Sequence, residues 1–267
     1  MTTLSQLMDL RGTRTMITGG LGHLGKVIAE TLAELGSDLV IVDMPGSHSE
    51  DFCSRLTSTW DVSAIYFACD LENESDHNSL ISLLKSDGMG LTCLVNNAAF
   101  VGNSDLQGWV VPFEEQTIQT WRRALEVNLT AAFHLSRSFA PELRSSGKGS
   151  IINIASIYGE YGPDWSLYEG TTMGNPAAYA ASKGGLLQLT RWLSTTLAPD
   201  IRVNAISPGG IYRNQPDKFV SRYVAKTPMR RMATVDDIRG AVAYLATSMS
   251  GYVTGQIMRI DGGWSAW

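Results

Sequence analysis

Short β-branched and apolar runs alternate along this chain with longer segments in which apolar residues recur at helical spacing. The short runs predict strands at Thr13–Thr18, Asp38–Asp43, Ser63–Cys69, Leu91–Val95, Ser150–Ala155, Ile201–Ile206 and Gln256–Ile260. The longer segments predict helices at His23–Leu35, Glu50–Thr59, Glu74–Lys85, Glu115–Arg144, Pro176–Leu197 and Asp236–Thr247. Thr234, followed three residues later by Asp237, has the form of a helix cap with an acidic first turn and supports the start of the last helix. Strands alternating with helices make crossover units, so the pattern predicts an α/β fold. We expect one domain over residues 1–267, a doubly wound parallel sheet of about seven strands with helices on both faces. Trp121, Phe133 and Phe139 stand where a helix packing on a sheet would bury them, and are expected in the core. There is no internal repeat or low-complexity linker. Three long irregular stretches, Phe100–Glu114, Gly159–Asn175 and Gly209–Lys226, each follow the carboxyl end of a predicted strand. That edge of an open parallel sheet is where ligands bind, so these loops are expected to wall the site.

Composition narrows the classes. With 267 residues and 44% hydrophobic content, the chain can bury a sizeable core. Its 21 basic and 26 acidic residues leave a mildly acidic surface without a basic run, which argues against a nucleic-acid partner and for a small-molecule substrate. Cys53, Cys69 and Cys93 lack metal-type spacing and sit in apolar stretches, as buried reduced thiols would. Met1–Leu10 has no basic residue ahead of a hydrophobic run, and no apolar stretch nears the ~18 residues of a membrane span. The expectation is a soluble, cytoplasmic protein. His23, His48, His77 and His134 show no ligand spacing, so no metal is expected. The absence of a Gly-x-Ser-x-Gly elbow argues against a serine hydrolase.

Gly20-Leu-Gly22-His-Leu-Gly25 follows the first strand and opens a helix, and the acidic Asp43 ends the next strand. This is the context of a dinucleotide-binding, Rossmann-type turn. Gly20 would permit the tight turn, Gly22 would let the backbone approach a pyrophosphate, and Gly25 would let the helix lie close to the sheet. The helix amino terminus would then face the phosphates. Asp43 can accept both adenosine ribose hydroxyls while its charge repels a 2′-phosphate, which reads as NAD over NADP. The competing reading is that Asp43 merely begins a turn with Pro45 and Gly46.

Tyr179 and Lys183 are four residues apart, on one face of a predicted helix. A phenol of pKa near ~10 needs a shift of roughly 2–3 units for acid–base work at neutral pH, and a nearby ammonium, assisted by the positive charge of oxidised nicotinamide, pushes that way by favouring phenolate. Ser156 lies just past a predicted strand at the ligand-binding edge. Asn128 sits inside a predicted helix, where asparagine is locally unfavourable and calls for a functional or a solvent-exposed explanation.

Over essentially its whole length the chain resembles the short-chain dehydrogenases/reductases. The resemblance rests on Thr18-Gly-Gly-Leu-Gly-His-Leu-Gly25, Asp70, Asn96-Asn-Ala-Ala99, Asn128 in Val-Asn-Leu, Ser156, Tyr179 with Lys183, Asn204, Pro208-Gly209, and Asp261-Gly-Gly263. It implies a catalytic tetrad. In it Tyr179 gives or takes the proton, Lys183 lowers the tyrosine pKa and holds the nicotinamide ribose, Ser156 binds the substrate oxygen, and Asn128 organises a relay water. It further implies cofactor contacts at Gly19, Gly20, Gly22, His23, Leu24 and Gly25, with Asp70 and Leu71 at the adenine, Asn97, Ala98 and Ala99 in the groove, and Pro208, Gly209 and Ile211 at the nicotinamide. Members are commonly homotetramers or homodimers joined partly by their carboxyl tails, and the aromatic tail Trp264-Ser-Ala-Trp267 is compatible with that.

Departures from the family pattern matter as well. The glycine spacing is that of longer sugar-nucleotide relatives, with His23 at the usual middle glycine and Ala99 where glycine is usual. Arg213 replaces a threonine that often touches the cofactor. It is free to meet the pyrophosphate or an anionic substrate group, or to be a solvated loop residue. The segment between Ser156 and Tyr179 is longer than usual, and its insertion, Tyr161 to Asn175, mixes aromatics with hydrogen-bonding groups. That mixture suits a polyhydroxylated ligand, although a structural loop covering a subunit contact would serve equally. The insertion and Gly209–Gln215 also look like oxidoreductases found with bacterial surface-sugar and nonulosonic-acid genes. The reading is an NAD-dependent oxidoreductase interconverting a secondary alcohol and a ketone on a sugar, polyol or sugar derivative. The alternatives are an NADPH-dependent reductase of hydrophobic or acyl-carrier-bound ketones, and a non-catalytic dinucleotide-binding redox sensor.

Overall fold

The computed structural model describes residues 1–46, 50–101 and 106–267, so His48 and part of the Phe100–Glu114 loop lie outside the described residues. The chain begins with helix α1 (Leu4–Met8) and strand β1 (Arg14–Thr18), then α2 (His23–Glu34), β2 (Asp38–Asp43), α3 (Glu50–Trp60), β3 (Ala64–Ala68), α4 (Glu74–Ser86) and β4 (Cys93–Asn96). It continues with α5 (Ile118–Leu125), α6 (Ala131–Ser145), β5 (Gly149–Ile154), α7 (Ala177–Leu197), β6 (Ile201–Pro208), α8 (Asp217–Lys226), α9 (Arg239–Ala246) and β7 (Ile257–Ile260). The strands form one seven-stranded sheet in the order β3-β2-β1-β4-β5-β6-β7. Every neighbouring pair is parallel.

The strands are apolar at consecutive positions because both faces of the sheet are covered. Along β1 and β2 successive side chains go to opposite faces. Ile17, Leu39 and Ile41 pack with Ile28, Leu32, Leu56 and Val242 from α2, α3 and α9. Met16, Val40 and Val42 pack with Leu80, Leu135 and Phe139 from α4 and α6. Each such fully buried aliphatic side chain contributes ~1.5–3 kcal/mol. The strand order reverses direction between β1 and β4, and the crevice above that switch point is where a doubly wound sheet takes its ligand.

The structure departs from the sequence expectation in several elements. The helix expected over Glu115–Arg144 is broken. Thr117 caps α5, a π turn spans Glu126–Thr130, and α6 then runs on. The extra residue of a π turn re-aims side chains, and Asn128, inside it, is buried. Helix α8 lies in the stretch expected to be irregular. Its signal is Phe219 and Tyr223 one turn apart, obscured by the Gly209-Gly210 and Pro216 that precede it. Trp121 and Phe133 are exposed rather than core, because the inward stripe of α6 runs through Ala132, Leu135, Phe139 and Leu143 and misses Phe133, while on α5 it is Thr120 and Ala124 that face inward. The cap at Thr234 is present: its N–H donates to Asp237 Oδ2 at 2.7 Å, and a short 3-10 turn leads into α9. The three cysteines are buried and free. No helix among the described residues is long and apolar enough to cross a membrane.

Candidate active site

A cleft of about 810 Å³ opens at the carboxyl ends of the strands. Its floor is the glycine turn. Gly19 carries the positive φ, 62°, so it is Gly19 that makes the tight turn expected of Gly20. Gly20 does not line the cleft; a Cβ there would come within 2.8 Å of Ile41 Cγ2. Gly22 precedes α2 and offers no side-chain cap, which leaves the first N–H groups of the helix, from His23 on, directed at the cleft. Leu24 and Gly25 line it too. The turn is braced from β4. Asn97 and Ala98 donate their N–H groups to Thr18 Oγ1, each at 3.1 Å, and Asn97 Nδ2 donates to the Thr18 and Gly19 carbonyls, each at 2.9 Å. The result is a fixed, anion-ready concavity that fits a dinucleotide pyrophosphate.

Asp43 stands at one end. Its carboxylate accepts from Leu21 N–H and Met44 N–H, both at 2.8 Å, so it ties the glycine turn and also starts its own turn. It lines the cleft beside Asp70 and Leu71. The Leu71 carbonyl accepts from His77 Nε2 at 3.1 Å, and His77 Nδ1 meets His134 Nδ1 at 3.2 Å, so two histidines that look unrelated in sequence brace this wall. Glu72 and Arg123 also line the cleft and form a bidentate pair at 2.7 and 2.8 Å. Sequence reasoning missed that pair, because the partners come from segments 51 residues apart.

At the other end Ser156 and Tyr179 both line the cleft, and the Ser156 hydroxyl favours the Tyr179 phenolate. Lys183, one helical turn beyond Tyr179, is buried, and its ammonium donates to the Ile154 carbonyl at 2.7 Å. Burial lowers the Lys183 pKa to about 8. The Tyr179 phenol of the protein alone lies above its ordinary value. Burial pushes it up, and the Ser156 hydroxyl and the Arg213 charge only oppose that. The ammonium lies 5.9 Å from the Tyr179 ring centre and is directed at a backbone carbonyl instead. Asn128 does not reach the cleft surface. It accepts from Phe100 N–H at 2.5 Å and donates to Ser182 Oγ at 2.9 Å, and Ser182 Oγ in turn donates to the Tyr179 carbonyl at 2.8 Å. Its mid-helix position is therefore explained by buried bonding, not by solvent.

Ala99, Pro208, Gly209, Ile211 and Arg213 complete the lining among the residues singled out in sequence. The insertion behaves differently from expectation. Only Met173 of Tyr161–Asn175 lines the cleft among the described residues. Leu167 and Tyr168 instead pack with Phe219, Tyr223 and Met232 under α8, Asp164 pairs with Lys226, and Arg222 donates to the Glu169 carbonyl at 2.5 Å.

Comparison with known proteins fits this geometry. The family model described as enoyl-(acyl carrier protein) reductase matches residues 22–265. This chain belongs to the short-chain dehydrogenase/reductase family. It is 30% identical to a galactitol 2-dehydrogenase of Rhizobium johnstonii over 98% of both chains. The NADPH-dependent 3-quinuclidinone reductase of Rhodotorula rubra superposes with a TM-score of 0.88 at 25% identity, covering 100% of this chain and 96% of that one. A short-chain dehydrogenase of Leptospira borgpetersenii with bound NAD+ gives 0.83 at 30% identity, covering 99% and 96%. The protein is accordingly an oxidoreductase acting on alcohol groups, in a family that binds NAD or NADP.

Proposed function

We propose that this short-chain dehydrogenase interconverts a secondary alcohol and a ketone on a sugar, polyol or sugar derivative, with NAD. The observation that carries the reading is the placement, in one cleft, of Ser156, Tyr179 and the buried Lys183 at one end and the Asp43 carboxylate at the other. The glycine turn and the amino end of α2 would hold the pyrophosphate, Asp43 the adenosine ribose, Asp70 and Leu71 the adenine, and Pro208 to Ile211 the nicotinamide side. When bound, nicotinamide supplies or accepts the hydride at its C4.

Ser156 Oγ donates to the substrate oxygen and fixes its position. Tyr179 takes the carbinol proton during oxidation and returns it during reduction. Lys183, with its ammonium anchored on the Ile154 carbonyl, holds positive charge at the end of the cleft where phenolate must form. Asn128 acts through position: it ties Phe100, which lines the cleft, to α7 at Ser182. A carboxylate at Asp43 repels a 2′-phosphate, which supports NAD. The similarity to a galactitol 2-dehydrogenase supports the polyol class.

The test is a screen of polyols, sugars and lipid-like ketones with NAD and NADP, following absorbance of the reduced cofactor. Turnover should appear with polyols or sugar derivatives and NAD. It should be lost, by about 10²-fold or more, in Tyr179→Phe, and Asp43→Ala should relax discrimination against NADP. Unchanged activity in Tyr179→Phe, or turnover confined to lipid ketones with NADPH, would overturn the reading.

A further inference from the structure

The charges of the cleft are sorted by position. Its acids, Asp43, Asp70 and Glu72, follow β2 and β3, and Arg123 on that side is already closed by Glu72. On the Tyr179 side the lining holds no carboxylate among the described residues. It holds two cations. Lys183 is committed to the Ile154 carbonyl, whereas Arg213 has no carboxylate within ion-pair distance among the described residues.

Arg213 is exposed, yet its loop is fixed from three directions. Its own N–H donates to Gln215 Oε1 at 2.6 Å, Gln215 Nε2 donates to the Ile211 carbonyl at 2.8 Å, and Tyr212 N–H donates to the Ala233 carbonyl at 2.8 Å. Asn214 takes the left-handed conformation, φ 57°, that lets the chain double back. A guanidinium that lines a cleft from a loop fixed at its backbone, with no carboxylate partner among the described residues, is a binding group for an oxyanion.

We propose that Arg213 binds a carboxylate of the substrate, so that the preferred substrate is a polyhydroxy acid oxidised at a secondary carbinol rather than a neutral polyol. This rests on the dehydrogenase reading above. Arg213 lines the same cleft as Ser156 and Tyr179, and the same cleft as His23 on the glycine turn, which makes the cofactor pyrophosphate the other source of an oxyanion. The uncapped amino end of α2 already serves a pyrophosphate, and the substrate end otherwise offers an anion no free cation.

The experiment compares gluconate with glucitol and galactonate with galactitol, each with NAD, in wild type and Arg213→Gln. Wild type should prefer the acids in kcat/KM, and Arg213→Gln should cut kcat/KM for the acids by roughly 10- to 100-fold, collapsing the preference. Wild-type preference for the neutral polyols overturns the proposal. So does an Arg213→Gln effect that appears in KM for NAD and falls equally on both substrate types, because that assigns the guanidinium to the pyrophosphate. Calorimetric titration of gluconate and glucitol into Tyr179→Phe with NAD present reads the same preference without turnover: tighter gluconate binding that Arg213→Gln abolishes supports the proposal, and equal or absent binding overturns it. Failure of the dehydrogenase reading looks different, since Tyr179→Phe would then retain full activity.

Discussion

Adding one methyl group to a helical glycine should have opposite effects at two places in this protein. Gly25 lies in the first turn of α2, where a Cβ would run into the Gly19 carbonyl oxygen and come within 2.8 Å of Gly20 Cα and 2.9 Å of Gly19 C. All three are backbone atoms of the glycine turn, so the strain cannot be relieved by rotating a side chain. Gly240, in α9, is exposed and has nothing within 4 Å of the same position. Alanine is favoured over glycine in a helix by up to ~1 kcal/mol, and overpacking costs about 1–3 kcal/mol. Gly240→Ala should therefore gain about 0.5–1 kcal/mol. Gly25→Ala should lose on the order of 1–2 kcal/mol net, a fall in Tm of roughly 2–8 °C at about 2–4 °C per kcal/mol. Because Gly19 and Gly22 form the floor of the cleft, Gly25→Ala should also weaken NAD binding, whereas Gly240→Ala should leave it unchanged. Thermal melts of the free protein and calorimetric titration with NAD read both effects. A Gly25→Ala protein as stable as wild type with undiminished NAD affinity would refute the close approach of α2 to the turn.

Two further outcomes follow from titratable groups, the half-buried His134 and the buried Lys183. Burial, His77 and Arg137 all lower the His134 pKa against the weaker pull of Glu74 and Glu126. The folded state then binds fewer protons than the unfolded chain below about pH 6.5, so this contribution to stability is lost as pH falls from there through the lowered value. Urea melts at about pH 7 and about pH 5 should show that slope flattened in His134→Gln, and an identical slope would separate His134 from the effect. Lys183→Met should lose activity yet melt higher than wild type at neutral pH, because an ammonium titrating at about 8 instead of 10.5 costs the fold on the order of 3 kcal/mol while it stays charged. The lost bond to Ile154 returns roughly 1 kcal/mol of that; a lower melting temperature at pH 7 would show that the buried ammonium does not destabilise the fold.

What the sequence made legible was whatever a local pattern encodes. Strand and helix periodicity places the seven strands to within a residue or two, since a sheet covered on both faces demands near-continuous apolar runs. Tyr179 and Lys183 at helical spacing, and the glycine turn between a strand and a helix, likewise follow from short-range rules. What escaped depends on packing between distant segments. Gly20 reads as the turn former until Ile41 is seen filling its free side, and the positive φ falls to Gly19. The insertion reads as a ligand wall because its aromatics look like binding groups, but Leu167 and Tyr168 find their partners on α8. The Glu72–Arg123 pair and the His77–His134 contact exist only once β3, α4, α5 and α6 are assembled.

On the proposed reading, the polar burial around Tyr179 sets stability against chemistry. A satisfied apolar residue at position 183 would stabilise α7 against β5, and Asn128 could be replaced by a helix former were it not for the Phe100 N–H and Ser182 Oγ that it satisfies. Both costs are concentrated within one helical turn of Tyr179. The phenol itself is pushed up by the same burial, which leaves it protonated in the free protein. On the proposed reading, further positive charge entering the cleft beside it favours phenolate, and oxidised nicotinamide would supply such a charge. On this account proton abstraction is coupled to cofactor occupancy, and the tyrosine stays a closed, neutral group until the cleft is filled. A phenol tuned by Lys183 alone would be ionised in the free protein at mildly alkaline pH. Ultraviolet titration comparing wild type with Tyr179→Phe distinguishes the two: a tyrosinate signal specific to Tyr179 should appear at lower pH with NAD present than without it. A signal already present at that lower pH in the free protein would return the tuning to the lysine.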